Sequence, residues 1–407
     1  MTVYNRLQKV AAVLVGTTLF VSGSFKLMDP VGTGLIVEEY WKLFHLGFMV
    51  PASLVFGLIL SLAEALVGVA LVTGLFRKTV RITAVALVGF FTLVTLVLAI
   101  LNPAMDCGCF GEWLHLSHTV SLLKNLVLLA LCAIFLFPRI EEPSRRPRSI
   151  AAGLIAAAVL FGTVWSLLYL PVVDYTEFAP GVELAAAQED FDEDELPEPA
   201  FLYEKDGKTQ SFRLSETEAA EDEGWIYVDV DSLARPALPV HEQVVTLSFL
   251  DREDGLADTL AARGPVMIVS VHDLQRMKEK RWKKTAAFLR EAAGAGFRPL
   301  LLVDGPLEEL DVRLGLLSAA DRKLLQDCSY QADRRKLLAL NRDNGGAAYF
   351  ADGMLVTKWS RRNLPDKEKL GSILGENPVE LMMVSDTQGR VALHGYFLFA
   401  LAIALLL

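Results

Sequence analysis

Two of the four cysteines in this 407-residue chain stand one residue apart, in the run Asp106-Cys107-Gly108-Cys109-Phe110-Gly111. Thiols at i and i+2 are too close to act as an ordinary fold staple. A disulfide between them closes a small, strained ring, and strain raises the reduction potential, so the bond is easily reduced and passed on. Gly108 lets the backbone turn enough to bring the sulfurs together. The spacing therefore predicts a redox pair, Cys107 and Cys109, cycling between dithiol and disulfide. The same loop offers a second chemistry. Cys107, Cys109, His115 and His118 supply four soft or borderline ligands for zinc or copper. Their C-x-C spacing departs from the usual C-x₂₋₄-C knuckle, and Ser117 or Thr119 as a helix N-cap explains much of this composition. Metal handling is thus the alternative, not the leading expectation.

The elements that must position this loop are apolar. Hydrophobic residues make up 53% of the chain and cluster in runs with few or no charges, at 10–27, 49–76, 82–101, 120–137 and 150–170. Each approaches or exceeds the ~20 residues a helix needs to cross ~30 Å of hydrocarbon. A sixth run, 391–407, is shorter and a weaker C-terminal span. The cysteine loop lies between the third and fourth runs. A mostly polar stretch separates the fifth from the sixth and is long enough for one or two domains. The chain reads as a membrane protein with a large soluble portion.

Basic residues set its orientation. Arg6 and Lys9 precede the first span, Arg77, Lys78 and Arg81 fill the turn after the second, and Arg139, Arg145, Arg146 and Arg148 follow the fourth. The loop from Asn102 to His118 has neither Lys nor Arg, and the loop after the first span carries only Lys26 and Lys42 against Asp29, Glu38 and Glu39. The positive-inside rule then gives a cytoplasmic N-terminus and an outer cysteine loop. The fifth span exports the chain from Pro171 onward to that same side. The expected location is the inner membrane, multi-pass, with the C-x-C loop and the large domain in the periplasm, where disulfide chemistry is permitted. Small residues Ser22-Gly23-Ser24 leave a cleaved signal peptide as a minor alternative for the first span, without changing the topology of the rest. Net charge is −10, and the acidic runs 189–198 and 216–223 read as solvated loops. That balance argues against nucleic acid or anionic lipid head groups as partners.

Within the spans, Glu64 lies mid-helix, where an ionisable group costs ~3 kcal/mol or more unless it faces the bundle interior. Its expected role is either a protonated carboxyl bonded to a neighbouring helix or a proton-handling group. Lys124 falls ~7 Å below the outer surface if the fourth span starts near Thr119, and its stem is long enough to snorkel toward the loop. A cation there favours thiolate at Cys107 or Cys109, while the plainer reading is an interfacial anchor. Cys132 reads as a small buried hydrophobe.

These residues carry a resemblance. Ser22-Gly23 with Lys26, Asp29-Pro30, Glu39-Tyr40, Glu64, the Cys107-Gly108-Cys109-Phe110-Gly111 loop and Lys124-Asn125 together resemble the MauE branch of the DoxX-like membrane proteins, over residues 1–140. The resemblance implies a four-helix bundle associated with redox partners. It also implies a methylamine-utilisation-like role in disulfide formation or maturation of exported proteins, as for factors serving methylamine dehydrogenase.

After the fifth span the sequence predicts a hairpin over 201–208 and 210–214 about Asp206-Gly207, with further strands at 225–230 and 244–250. From Gly264 a β-α-β pattern follows, with strands at 265–271 and 299–303 around a helix at 277–293. A helix over 334–340, a hairpin of 347–350 with 354–358, and a helix over 366–374 complete it. This order resembles a thioredoxin-like fold over 260–375. The place of a redox C-x-x-C reads His272-Asp273-Leu274-Gln275, and the place of the family's cis-proline reads Gly345-Gly346. The resemblance therefore implies a redox-inactive scaffold or docking module. Cys328 stands alone, either buried and inert or a relay to the C-x-C pair. The layout, including the run Leu340-Asn341-Arg342-Asp343-Asn344-Gly345-Gly346, also resembles DoxX-family proteins of Bacteroidetes-type bacteria.

The expected fold is thus a helical membrane bundle of four helices plus a fifth tethering span, with an exported α/β thioredoxin-like domain. The expected domains are 1–140 (bundle), 141–170 (cytoplasmic loop and fifth span), 171–259 (β-rich segment), 260–376 (thioredoxin-like), 377–390 (linker) and 391–407 (C-terminal span). The expected function is thiol–disulfide exchange on exported or envelope partner proteins through Cys107 and Cys109, supported by Lys124 and Glu64, with a membrane quinone as electron acceptor. A non-enzymatic membrane scaffold is the main rival and metal handling the third reading. No Ser-His-Asp order, phosphate-cradling loop or paired-carboxylate constellation stands out.

Overall fold

The computed structural model describes residues 3–75, 78–103, 105, 107–114, 116–136, 146–187, 200–205, 208–213, 225–231 and 245–405. Asp106, His115, Asp206-Gly207 and the two acidic runs lie outside the described residues. Five described helices are long and apolar enough to cross a membrane, over Arg6–Met28, Gly47–Val72, Lys78–Leu101, His118–Leu136 and Ser149–Leu168. They correspond to the five apolar runs. The helices themselves are α1 (Val3–Met28), α3 (Ser53–Val72, entered through a short 3-10 turn at Gly47–Ala52), α4 (Lys78–Leu101), α5 (His118–Leu136) and α6 (Arg146–Leu168).

The loop after the first span contains a helix, α2 (Pro30–Leu43). Its start is specified locally. The Asp29 carboxylate accepts from the Gly32 N–H at 2.9 Å, and Pro30 at the first helical position loses no hydrogen bond that the helix would use. Helix α2 lies on α3, with Gly34 against Leu54 and Thr33 and Val37 against Gly57. The cysteine loop then runs back over α1 and α2 as a short extended segment, β1 (Cys109–Glu112).

Beyond α6 lies an antiparallel sheet of β2 (Ala200–Lys205), β3 (Lys208–Arg213) and β4 (Ile226–Asp231) in the order β3-β2-β4. A larger mixed α/β domain follows. Its strands are β5 (Pro265–Val271), β6 (Arg298–Val303), β7 (Ser329–Gln331), β8 (Gly346–Ala351) and β9 (Met354–Trp359), ordered β7-β6-β5-β8-β9. Strands β5, β6 and β7 are parallel, while β8 is antiparallel to both β5 and β9. The crossover helix α7 (Glu279–Ala295) joins β5 to β6, and α10 (Arg334–Leu340) leads toward β8, after α8 (Leu307–Leu314) and α9 (Ala319–Asp327). The run 265–271 has few polar residues because both faces of the sheet are covered. Met267, Val269 and Val271 face one core with Trp282 and Leu289, whereas Val266 and Ile268 face another with Phe178, Phe249 and Phe350.

Two expectations need correction. The strand expected over 244–250 does not form across its described part, 245–250: only isolated bridges occur at Val245 and Leu250, and Ser248 has φ 53°. The Asp258 carboxylate holds that turn, accepting from the Ser248 and Phe249 N–H groups at 2.9 Å each. Leu247 and Phe249 are buried, so the apolar run reflects burial against the sheet, not pairing. Residues 378–390, expected as a linker, are helical. They form the first half of α12 (Pro378–Leu405), which follows α11 (Lys367–Gly375). Helix α12 runs on until Tyr396 stacks on Phe20 and Ala400 is buried beside Ile155 and Val159.

Candidate functional site

Gly108 sits at φ 57°, a left-handed conformation that a Cβ disfavours, and a Cβ there would also meet Ile36 Cγ2 at 2.5 Å. That turn lets Cys107 and Cys109 share one small site as free thiols. Both carbonyls are tied down. Tyr40 on α2 donates its hydroxyl to the Cys107 carbonyl, and Ser22 on α1 donates to that of Cys109. Cys107 is 4% exposed, with Sγ 2.8 Å from Ser121 Oγ, while Cys109 is only partly buried.

The two sulfurs are unequal. The hydrogen bond between them holds the Cys109 thiol down at about 5; burial opposes this, and the Lys124 and Lys26 ammonium groups add to it. The same bond to Cys109, together with burial, pushes Cys107 far up. Where one proton is shared between close thiols, the pair ionises once easily and a second time with difficulty. The thiolate is the nucleophile, and Cys109, the more open of the two and the one beside the Lys124 and Lys26 charges, is placed to carry it.

Lys124 stands with Nζ 4.7 Å from the centroid of the Phe110 ring, next in sequence to Cys109. Glu64 is 3% exposed and accepts a hydrogen bond from Lys26 Nζ at 2.7 Å. Lys26 lies one helical turn from Ser22, on the α1 face toward the cysteine loop, and its Nζ also sits 4.8 Å from the Phe91 ring centroid. Sequence reasoning counted Lys26 as a loop charge and missed this pairing. A signal was present, since one buried acid in a span calls for a cation in a neighbouring one. Asn125 donates to the Phe91 carbonyl and to Thr95 Oγ1, tying α5 to α4.

Of the proposed metal ligands, His118 places Nε2 3.0 Å from the Pro103 carbonyl, and His115 lies outside the described residues. Among the described residues no three His, Cys, Asp or Glu side chains gather as a metal site. Cys132 is fully buried in the bundle with Leu128 and Phe135. Cys328 is packed in the core of the α/β domain, where burial pushes its thiol up to about 12. His272 follows β5 directly. Burial, with help from Arg334, pushes it down to about 4, so it is neutral at pH 7.

The α/β domain rests on the same end of the bundle as the cysteine loop. Arg342, in the turn before β8, donates to Asp29 Oδ2 from Nε at 2.9 Å and lies 2.8 Å away through Nη2. The same Nη2 bonds Glu112, three residues after Cys109. Burial opposes the Arg342 charge, and Asp29 and Glu112 more than compensate, so its affinity for the proton rises above the usual arginine value. Burial raises Glu112 against the pull of Arg342. Arg334 and Arg335 on α10 lie 3.6 Å from Glu38 and Glu39 on α2, and Lys358 pairs with Asp174, just past α6, at 2.6 Å. The run 340–346 was noted in the sequence, but its role was not.

Residues 4–138 match the family model described as methylamine utilisation protein MauE. The membrane bundle is MauE-like. The MauE match takes in Lys26, Glu64, Cys107, Cys109 and Lys124 and stops before α6, so the α/β domain lies beyond it. No curated protein and no solved structure matches the chain.

Proposed function

We propose that this MauE-like membrane protein carries out thiol–disulfide exchange with exported partner proteins through Cys107 and Cys109, at the periplasmic face of an inner membrane. The observation that carries this reading is geometric: the left-handed turn at Gly108 holds two free thiols in one site, Cys107 buried against Ser121 Oγ and Cys109 more open beside Lys124 and Lys26. In exchange, the Cys109 thiolate attacks one sulfur of a partner disulfide. A mixed disulfide forms and the other partner sulfur leaves as thiolate. Cys107 then gives up its proton and attacks Cys109, releasing the second partner thiol and closing the Cys107–Cys109 disulfide. Two electrons pass to the partner disulfide, and the reverse sequence oxidises a partner dithiol.

Lys124 and Lys26 act as positioning charges that favour the Cys109 thiolate. Glu64 acts through Lys26, whose ammonium it holds beside the loop. The strand order of the α/β domain and its hairpin before a final helix support the thioredoxin-like reading, and His272 in place of a first cysteine supports a docking role. A second reading, a non-enzymatic assembly scaffold, draws on the seating of that domain over the cysteine loop through Arg342.

Mixed-disulfide trapping tests the proposal. In cells expressing Cys107→Ser, Cys109 should accumulate in dithiothreitol-sensitive adducts with exported proteins, absent from Cys107→Ser/Cys109→Ser. No adduct in any growth condition would contradict exchange and favour the scaffold.

A further inference from the structure

A cavity of about 860 Å³ lies where α1, α6, α12 and the α/β domain meet. It falls within the size range of small-molecule sites. Its walls change character along its length. Val159, Phe161, Gly162 and Trp165 of α6 and Phe399 of α12 form one end, while Asp174, Arg342 and Lys358 form the other. At 1.5 Å per residue, Val159 lies roughly 13 Å below the outer end of α6 at Leu168, so the cavity reaches from hydrocarbon depth to the membrane surface. A soluble ligand would not need that span, but a lipid fills it.

Two further observations point to an occupant. A Cβ built on Gly162 meets nothing within 4 Å, while Phe161, Trp165 and Phe399 are exposed toward the bilayer side, so the apolar end is open laterally. At the polar end, the Lys358 side chain is 6% exposed. Its ammonium donates to Asp174 and to the Ala339 carbonyl, and an ammonium has three N–H donors. Lys358 lines the cavity, so an acceptor bound there is within reach of its remaining donor.

We propose that this cavity binds a tailed membrane lipid whose head presents an oxygen acceptor to Lys358. The site is separate from the thiols. Ser22 and Lys26 face the cysteine loop, whereas Ser24, on another face of α1, lines the cavity and bonds Tyr396. The cavity and the cysteine loop thus meet different faces of α1. The bound lipid fills the joint between the bundle and the α/β domain.

The test uses the full chain in phosphatidylethanolamine nanodiscs containing either a diazirine-tailed phosphatidylglycerol or a diazirine-tailed ubiquinone, with the unlabelled lipid as competitor. Peptides from α6 and α12 should show saturable labelling, unlike the exposed face of α4 around Phe90 and Leu93, which reports bulk lipid. Saturation by the phosphatidylglycerol alone assigns a phospholipid and saturation by the ubiquinone alone a quinone; either supports the site. Gly162→Trp, which fills the cavity, should abolish the saturable component, and so should Lys358→Met/Asp174→Asn, which removes the buried charges together. Labelling of α6 and α12 that is non-saturable and equal to that of α4 overturns the proposal. So does saturable labelling that survives both variants, whose folding is checked by an unchanged elution profile.

Discussion

Lys26 Nζ lies 2.7 Å from Glu64 Oε2 inside the helical bundle, one turn further along α1 than Ser22, whose hydroxyl holds the Cys109 carbonyl. A buried ion pair thus stands beside the thiol pair. Removing one partner of a buried pair leaves an uncompensated charge and costs about 3–5 kcal/mol. Lys26→Met and Glu64→Gln should each lower thermal stability by that order. The double variant should recover much of the loss. A double variant as unstable as the sum of the singles would show that the two residues do not act as a pair.

The reactivity of Cys109 should depend weakly on pH near neutrality. Its thiol is held down at about 5, so the thiolate is already the dominant form well below neutral pH. Alkylation should therefore be nearly flat between about pH 6 and about pH 8, because the thiolate is the reactive form. In Cys107→Ala the inter-thiol hydrogen bond is gone, so the Cys109 value rises. Its alkylation should then climb with pH, about tenfold per unit below an ordinary thiol value near ~8.5. Lys124→Met should raise it less.

Arg342 should be the main tie between the α/β domain and the cysteine loop. It contacts Asp29 and Glu112 while only 5% exposed. Arg342→Ala leaves two partly buried carboxylates side by side without their cation, at a cost of about 1–3 kcal/mol. Arg342→Lys should rescue little, because an ammonium cannot span both acceptors as a guanidinium does. Faster amide exchange in 107–114 and 29–40 would report the loosened contact. Unchanged exchange there would contradict it.

Gly32→Ala should loosen the same contact from the other side. A Cβ at position 32 would clash with the Asp29 carboxylate, lie 2.8 Å from Glu112 Oε1 and 2.9 Å from Arg342 Nη2. The expected result is the exchange pattern of Arg342→Ala in milder form, with the fold of the bundle retained by circular dichroism.

Cys328 should be silent in exchange. It is packed in the α/β core, and its thiol is pushed up to about 12. Cys328→Ala should leave the redox states of Cys107 and Cys109 unchanged while costing about 1–2 kcal/mol of stability from lost packing. A shift in those redox states would revive the relay.

Much of the scaffold was legible because its signals are local. Apolar length gives the spans. Asp366 accepting from the Lys369 N–H and Asp333 accepting from the Arg335 N–H are N-caps that the sequence shows directly. Asp29-Pro30 is the same kind of signal, and it marks the start of α2. The run 244–250 misled, since burial without strand pairing gives the same apolar pattern. The pair Cys107 and Cys109 was visible from spacing alone. Its inequality was not, because that depends on the hydrogen bond between the two sulfurs and on Lys26 and Lys124 converging from separate helices. Arg342 is farther still from local reading, 230 residues from Glu112 and 313 from Asp29.

The most direct test of the central claim is the redox state of the pair in intact cells. Cells are quenched in acid and free thiols tagged with a mass-shifting maleimide, in wild type and in the Cys107→Ser and Cys109→Ser variants. The account predicts a mixture of dithiol and disulfide at Cys107 and Cys109 in the wild type, with a partner-linked species through Cys109 in Cys107→Ser. A pair found wholly reduced under every condition, with no linked partner, would contradict it.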